Sequence, residues 1–413
     1  MREMKDSGIE WAGVIPNTWN INKGKYFMEL LTRPTLETDE VITCFRDGEV
    51  TLRSKRREEG FTVSLTEAGY QGIEIGDLVV HGMDGFAGSI GISDSRGKAT
   101  PVLNVLDTEQ NKRYMMYLMR TMAYCELFLS LATGIRVRTC DTNWKKLREI
   151  DYILPTIPEQ KAIADFLDEQ CAEIDSLISD IQSQIEALEE YKRSVITEAV
   201  TKGLDPDVEM RDSGVQWIGM MPTHWDCQRG KYLLRYVQKP VRDDDGVITC
   251  FRDGEVTLRS NRREEGFTMA DKEIGYQGID VGDLVVHGMD GFAGSIGISD
   301  SKGKASPVLN VLDTEQNKRY IMYYLHSMAY NDVFVALATG IRVRSCDLRW
   351  NKLAELLYPM PPVEEQQAIV EHIDSVLERT NAIIADKKQQ IETIEEYKKS
   401  LIFEYVTGKK EVA

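Results

Sequence analysis

VITCFRDGEVTLRS, residues 41–54, recurs letter for letter at 247–260, and the offset of 206 that joins the two copies holds along the chain of 413 residues. It sets Met4 beside Met210, Trp11 beside Trp217, Trp144 beside Trp350 and Tyr191 beside Tyr397, and PVLNVLDTEQNKR at 101–113 returns at 307–319. So long a period is no solenoid repeat or propeller blade, and each copy is domain-sized. The chain is therefore read as a tandem duplication of one unit. Between 20 and 155 the apolar runs VITCF, GEVTL, GDLVVHG, GSIGIS and PVLNVL alternate with glycine-rich turns, which is the punctuation of strands and hairpins. From 111 to 131 the spacing predicts a helix with Tyr114, Tyr117, Leu118, Thr121, Met122, Cys125, Phe128 and Leu129 on one face. Each unit is thus expected to be mixed, of the α+β class.

Beyond Pro155 and Pro158 the chain runs to residue 200 without another Gly or Pro, a length that signals a coiled coil. Ile174, Ile181, Leu188 and Val195 are seven apart, with Leu177, Ile178, Ile185 and Tyr191 expected in the neighbouring stripe. A rod of about 60 Å follows at 1.5 Å per residue. The second copy repeats the seam with Ile383, Ile384, Ile391, Ile394, Tyr397 and Leu401, while Thr380 and Lys387 interrupt its first positions. The expected division is 1–157 and 204–362 for the two mixed domains, and 158–203 and 363–408 for the two long helices.

With 42% hydrophobic and 28% charged residues the chain reads as soluble and globular. No apolar run approaches membrane-spanning length, and MREMKDSGIEW lacks the apolar core of a signal peptide. Seven cysteines without CxxC spacing fit a reducing cytoplasm better than a disulfide framework or zinc site. The net charge of −17 is uneven: residues 159–200 carry eleven acids and three bases, and 364–406 carry ten and five. The rest is close to neutral. Residues 132–148 hold Arg136, Arg138, Lys145, Lys146 and Arg148 against Asp141 alone, and a local patch governs nucleic-acid binding more than the total does.

Catalytic motifs are weak. GISDSRGKAT at 91–100 differs from a phosphate-binding loop, with five residues between its glycines and Ala99 after the lysine. His81 and Asp84 in VVHGMDGFAG, repeated as His287 and Asp290, form a candidate base pair near Cys44, without the spacing of a known hydrolase. Basic stretches say more. LRSKRREEGF supplies Arg53, Lys55, Arg56 and Arg57, repeated as Arg259, Arg262 and Arg263. It is either a solvated, salt-bridged loop or a set of phosphate and guanine contacts. GIRVR places Arg136 and Arg138, and in the second copy Arg342 and Arg344, on one strand face. That face is either DNA-reading or simply polar and outward. Lys145 and Lys352 extend the basic set, whereas Phe86 and Phe292 are expected in the core.

Together these pieces resemble the specificity subunit of type I restriction-modification enzymes, over nearly the whole chain. The resemblance rests on GIRVRTCDTNWKKL with LPTIPEQKAIADFLD, on GIRVRSCDLRWNKL with MPPVEEQQAIVEHID, and on the inter-repeat segment with Trp217, Gly219, Pro222 and Trp225. It implies two target-recognition domains alternating with two long helices that pack antiparallel with pseudo-twofold symmetry and act as a ruler on DNA. It implies double-stranded DNA, two methyltransferase subunits and motor-nuclease subunits as partners, a prokaryotic cytoplasm, and no catalysis by the chain itself. No cofactor is expected on this chain, with S-adenosylmethionine, ATP and magnesium on those partners. Recognition domains of the family usually differ within a chain, whereas these are nearly identical. Similar half-sites in a gapped, near-palindromic target are therefore expected. A coiled-coil protein scaffold and a duplicated hydrolase using His81, Asp84 and Cys44 are the alternatives.

Overall fold

Leu78–His81 pairs on one side with Ile90–Ile92 and on the other with Leu103–Thr108, which in turn pairs with Met28–Leu30. All pairings are antiparallel, and Val80 stands opposite Asn104 and Ile90. Successive side chains of a strand point to opposite faces. Leu78, Val80, Ile90 and Leu106 accordingly enter one core, and Val79, Leu103 and Val105 enter another with Ile42, Cys44, Val50, Ile73 and Ala99. A sheet covered on both faces explains why the strand reads as the unbroken apolar run LVV. The computed structural model describes residues 2–56, 68–130, 142–262, 274–336 and 348–412.

The second copy repeats this sheet with Leu234–Tyr236, Leu309–Thr314, Leu284–His287 and Ile296–Ile298 in the same order. In each copy a two-stranded hairpin, Ile42–Cys44 with Val50–Leu52 or Ile248–Cys250 with Val256–Leu258, covers the outer face.

The domain helix runs Lys112–Tyr124, and the Asn111 side chain accepts from the Arg113 and Tyr114 amides at its start. It stops short of the expected 131 because Glu126 adopts a left-handed φ of 58°, a conformation that a helix does not continue through. Phe128 stays buried on a second short helix, Leu127–Ser130, but Cys125 is exposed. Burial also extends around most of the domain helix, from Tyr114 to Met119 and at Thr121, Met122 and Ala123. It packs between the sheet and the long helices, so one apolar face does not describe it.

The two long helices span Ile157–Lys202 and Val363–Val406. The chain forms two compact units, Met1–Ile181 with Lys388–Ala413, and Gln182–Lys387. Each unit therefore holds one mixed domain and a length of both helices. In the first unit Phe166 meets Tyr405 with ring centroids 4.4 Å apart, and Lys398 Nζ donates to Asp175 at 2.6 Å. As one helix ascends the other descends, so the pairing is antiparallel. In the second unit Ile196, Ala199 and Val200 share a core with Ile369, Val370 and Ile373, and Lys387 Nζ donates to Gln184 at 2.5 Å.

Of the seam positions, Ile174, Ile181, Ile384 and Leu401 are buried, and Leu188, Val195, Ile391 and Ile394 are half-buried. The neighbouring stripe needs correction. Leu177, Tyr191, Ile383 and Tyr397 are about half exposed, whereas Cys171, Ile185 and Thr380 are buried. The inward row advances by three and four residues through Cys171, Ile174, Ile178, Ile181 and Ile185. Leu177 lies one residue, about 100°, off it. No described helix is long and apolar enough to cross a membrane.

Candidate nucleic-acid interface

Each mixed domain is seated on its helices by repeated contacts that account for several of the motif residues. Gln160 is fully buried: its Oε1 accepts from the Asn111 amide at 2.9 Å, and its Nε2 donates to Gln110 Oε1 at 2.7 Å and the Pro155 carbonyl at 2.9 Å. Gln366 makes the same contacts with Asn317, Gln316 and Pro361. The E-Q pair of the long helices thus serves the joint between helix and domain. Trp225 is buried as well, and its Nε1 donates to Glu365 at 3.1 Å.

A polar face forms where two turns meet the loop after Leu78–His81. The turn Phe45–Glu49 leads back from the outer hairpin, with Gly48 at a φ of 85° and its Cβ direction filled by the Arg120 guanidinium. Arg46 reaches across to Asp84 at 3.0 Å, and Arg252 to Asp290 at 3.1 Å. Arg56 lies 4.2 Å over the Phe45 ring and pairs with Asp47 at 2.7 Å and Glu49 at 2.9 Å. Arg262 repeats this with Phe251, Asp253 and Glu255. Arg53 Nε donates to Thr43 Oγ1 at 3.1 Å, as Arg259 does to Thr249. Lys55 Nζ donates to Asp94 at 3.2 Å and Ser95 at 2.8 Å.

His81 belongs to the architecture of its loop. Its Nδ1 accepts from the Met83 and Asp84 amides at 3.2 and 3.0 Å, which leaves the proton on Nε2, 4.0 Å from Asp84. His287 repeats this with Met289 and Asp290. Burial lowers the pKa of both histidines, and the adjacent carboxylate offsets only part of that, so the rings are neutral at pH 7. The Cys44 thiol is pushed up to about 12, chiefly by burial, and a thiol so high carries almost no thiolate. Neither group is poised as a nucleophile or a base, and the described residues contain no cluster of three metal-type ligands.

The loop also anchors the chain that leads to Lys145. The Thr142 amide donates to Gly82 O at 2.8 Å, and its hydroxyl to the His81 carbonyl at 2.8 Å. Asn104 Nδ2 bridges the Val80 and Thr142 carbonyls at 3.1 and 3.0 Å, and Asn310 does the same for Val286 and Leu348. Lys145 and Lys352 then stand exposed on the short helices Trp144–Leu147 and Trp350–Leu353. Phe86 and Phe292 pack against the main cores. Arg57, Arg136, Arg138, Arg263, Arg342 and Arg344 lie outside the described residues.

Arg53, Lys55 and Arg56 are thus each engaged by a hydroxyl or carboxylate of their own, as side chains of a hydrogen-bonded, salt-bridged surface would be. Arg46 and Arg252, which the sequence did not single out, are the more available cations, with side chains 71% and 66% exposed. Such surface pairs contribute little to stability, so the guanidinium can exchange its carboxylate for a phosphate or a base edge. Their only sequence signal is a place inside the 14-residue block that the two copies share unchanged.

No family model matches the chain. It is 24% identical over 322 residues to the MjaX specificity subunit of a type I restriction enzyme from Methanocaldococcus jannaschii, covering 74% of this chain and 71% of that protein. It is 27% identical over 326 residues to the MjaVIII specificity subunit of the same organism, covering 73% and 72%. A chain from a solved type I restriction-modification system, studied for complex assembly and conformational transition, matches with a TM-score of 0.69 at 11% identity, covering 96% of this chain and 99% of that one. The chain thus resembles type I specificity subunits, and its fold is one of two mixed domains with two long helices.

Proposed function

We propose that this chain is the DNA-specificity subunit of a type I restriction-modification complex, reading a gapped bipartite target with one half-site per mixed domain. The observation that carries it is the repetition of one polar face, Arg46 with Asp84 and Arg252 with Asp290, on two units each built around a helix pair. Similarity to specificity subunits over 73–74% of the chain supports the same reading. A major-groove edge is read by donors and acceptors of this kind, with arginine matched to guanine and neighbouring cations to phosphate. Near-identical faces make near-identical half-sites, and so a near-palindromic target. The helices, with most of the acidic excess, avoid phosphate and suit protein: two methyltransferase subunits dock there and on adjacent domain surfaces, and motor-nuclease subunits join them. S-adenosylmethionine, ATP and magnesium belong to those partners.

The test is genome-wide mapping of methylated bases in cells that express the chain with its methyltransferase subunits, against cells that lack it. A gapped motif with two similar half-sites is expected. Unrelated half-sites would refute the near-palindrome, and the absence of any chain-dependent motif or salt-sensitive DNA affinity would return the chain to a protein scaffold.

A further inference from the structure

Residues 41–62 and 247–268 are identical at every position but one: Lys55 in the first copy is Asn261 in the second. The segment 76–95, which supplies the partners of Lys55, is unchanged at 282–301. Within these two segments, then, one side chain differs, and its effect on the surface is visible. In the first copy Lys55 Nζ sits 3.2 Å from Asp94 Oδ2 and 2.8 Å from Ser95 Oγ, and the Thr51 hydroxyl donates to the same carboxylate at 3.0 Å. In the second copy Asn261 Nδ2 turns to Thr257 Oγ1 at 2.8 Å, and Thr257 lies 3.3 Å from the Ser301 hydroxyl. Among the described residues no cation pairs with Asp300, the counterpart of Asp94.

Both side chains are exposed, directly beside Arg56 and Arg262, whose ion pairs join this turn to the one bearing Arg46 or Arg252. They offer different chemistry to the same place. Lysine presents only donors, which match the O6 and N7 acceptors of guanine; asparagine presents a donor and an acceptor, which match N6 and N7 of adenine.

We infer that the Lys55/Asn261 position is a specificity determinant that makes two otherwise alike half-sites differ at one base pair, guanine-favouring under the first domain and adenine-favouring under the second. This rests on the DNA-reading function proposed above. It modifies the expected palindrome in a defined way, as a single interruption of the symmetry.

The experiment is methylation mapping of the full chain co-expressed with its methyltransferase subunits, as wild type, as Asn261→Lys and as Lys55→Asn. Each variant installs the residue that the other copy already carries at the same exposed position, so both are expected to fold. Asn261→Lys is expected to convert the differing base pair of the second half-site to that of the first, and Lys55→Asn to do the reverse. A motif unchanged in both variants overturns the inference, including the case in which Lys55→Asn only lowers the slope of log affinity against log salt by about one, the mark of a phosphate contact. An exchange of bases other than guanine and adenine overturns the base assignment. If the wild-type complex itself yields no motif, the DNA-reading function has failed; a wild-type motif indifferent to both swaps fails this inference alone.

Discussion

The Tyr114 hydroxyl lies 3.1 Å from the Val406 carbonyl, a residue 292 positions away in sequence, and 3.0 Å from the carbonyl of Ile153. Tyr320 repeats the arrangement with Val200 at 3.2 Å and Pro359 at 2.8 Å. One fully buried hydroxyl thus ties the domain helix, the last domain strand and the end of a long helix together. Tyr114→Phe should leave buried carbonyls without this donor and cost roughly 1–2 kcal/mol, read as a lower urea midpoint with an unchanged slope. An unshifted midpoint would show that the hydroxyl bridges nothing of consequence.

Gln160 and Gln366 carry a larger share. Each is fully buried with both ends of its amide used. Gln160→Leu should cost about 2–3 kcal/mol, because it strands the Asn111 amide and the Pro155 carbonyl. Gln170→Leu, a half-buried residue of the same helix whose amide bonds only to the exposed Glu173 side chain, should change little. Equal effects of the two substitutions on thermal midpoint would contradict the packing described.

Replacing Arg46 and Arg252 together by alanine should weaken DNA binding of the assembled complex roughly tenfold or more. If both guanidiniums meet phosphate, the slope of log affinity against log salt falls by about two. Co-purification with the methyltransferase subunits should be retained, since neither residue lies on the long helices. DNA affinity equal to wild type across a salt titration would remove this face from the interface.

His326, the counterpart of Arg120, is buried with its pKa lowered to about 4, mainly by desolvation. It binds a proton less readily folded than unfolded, where the value is about 6.5. Its contribution to stability is therefore intact above about pH 6.5 and lost as pH falls toward 4, by roughly 3 kcal/mol in total. Denaturation of wild type and His326→Gln at pH 7 and pH 4.5 isolates it, because carboxylates common to both cancel. The wild type should lose more than the variant on acidification, and parallel losses would mean that the imidazole is already accessible.

Periodicity carried much of the fold in the sequence. The 206-residue offset, the strand runs and the long helices follow from local pattern, which depends only on neighbours a few positions away. The apolar pattern runs past the helix end at Tyr124, because a left-handed Glu126 leaves no mark in it. Hydrophobicity alone points Leu177 and Tyr191 inward, yet they stand outward while Thr380 takes a buried place by bonding its hydroxyl to the Val376 carbonyl at 2.8 Å. Of the polar face, the residue types were legible but the pairings were not. Arg46 meets Asp84 across 38 residues, and nothing in either segment specifies the other. The same holds for His81, whose ring satisfies two amides of its own loop and so has a reason for its place that a search for catalytic pairs does not consider.

The long helices give the two compact units an unequal dependence on the order in which the chain is made. Gln182–Lys387 is one uninterrupted stretch, and its main core draws only on residues within it. The first unit needs Leu401, Ile402 and Val406 to complete a core that begins at Ala12. During synthesis the second domain can therefore close before the first, although it is made later. The packing frame is a circular permutation of the repeated one. A fragment cut at the repeat boundary would sever both helix pairs, whereas one cut at 182 and 387 would keep its main core whole.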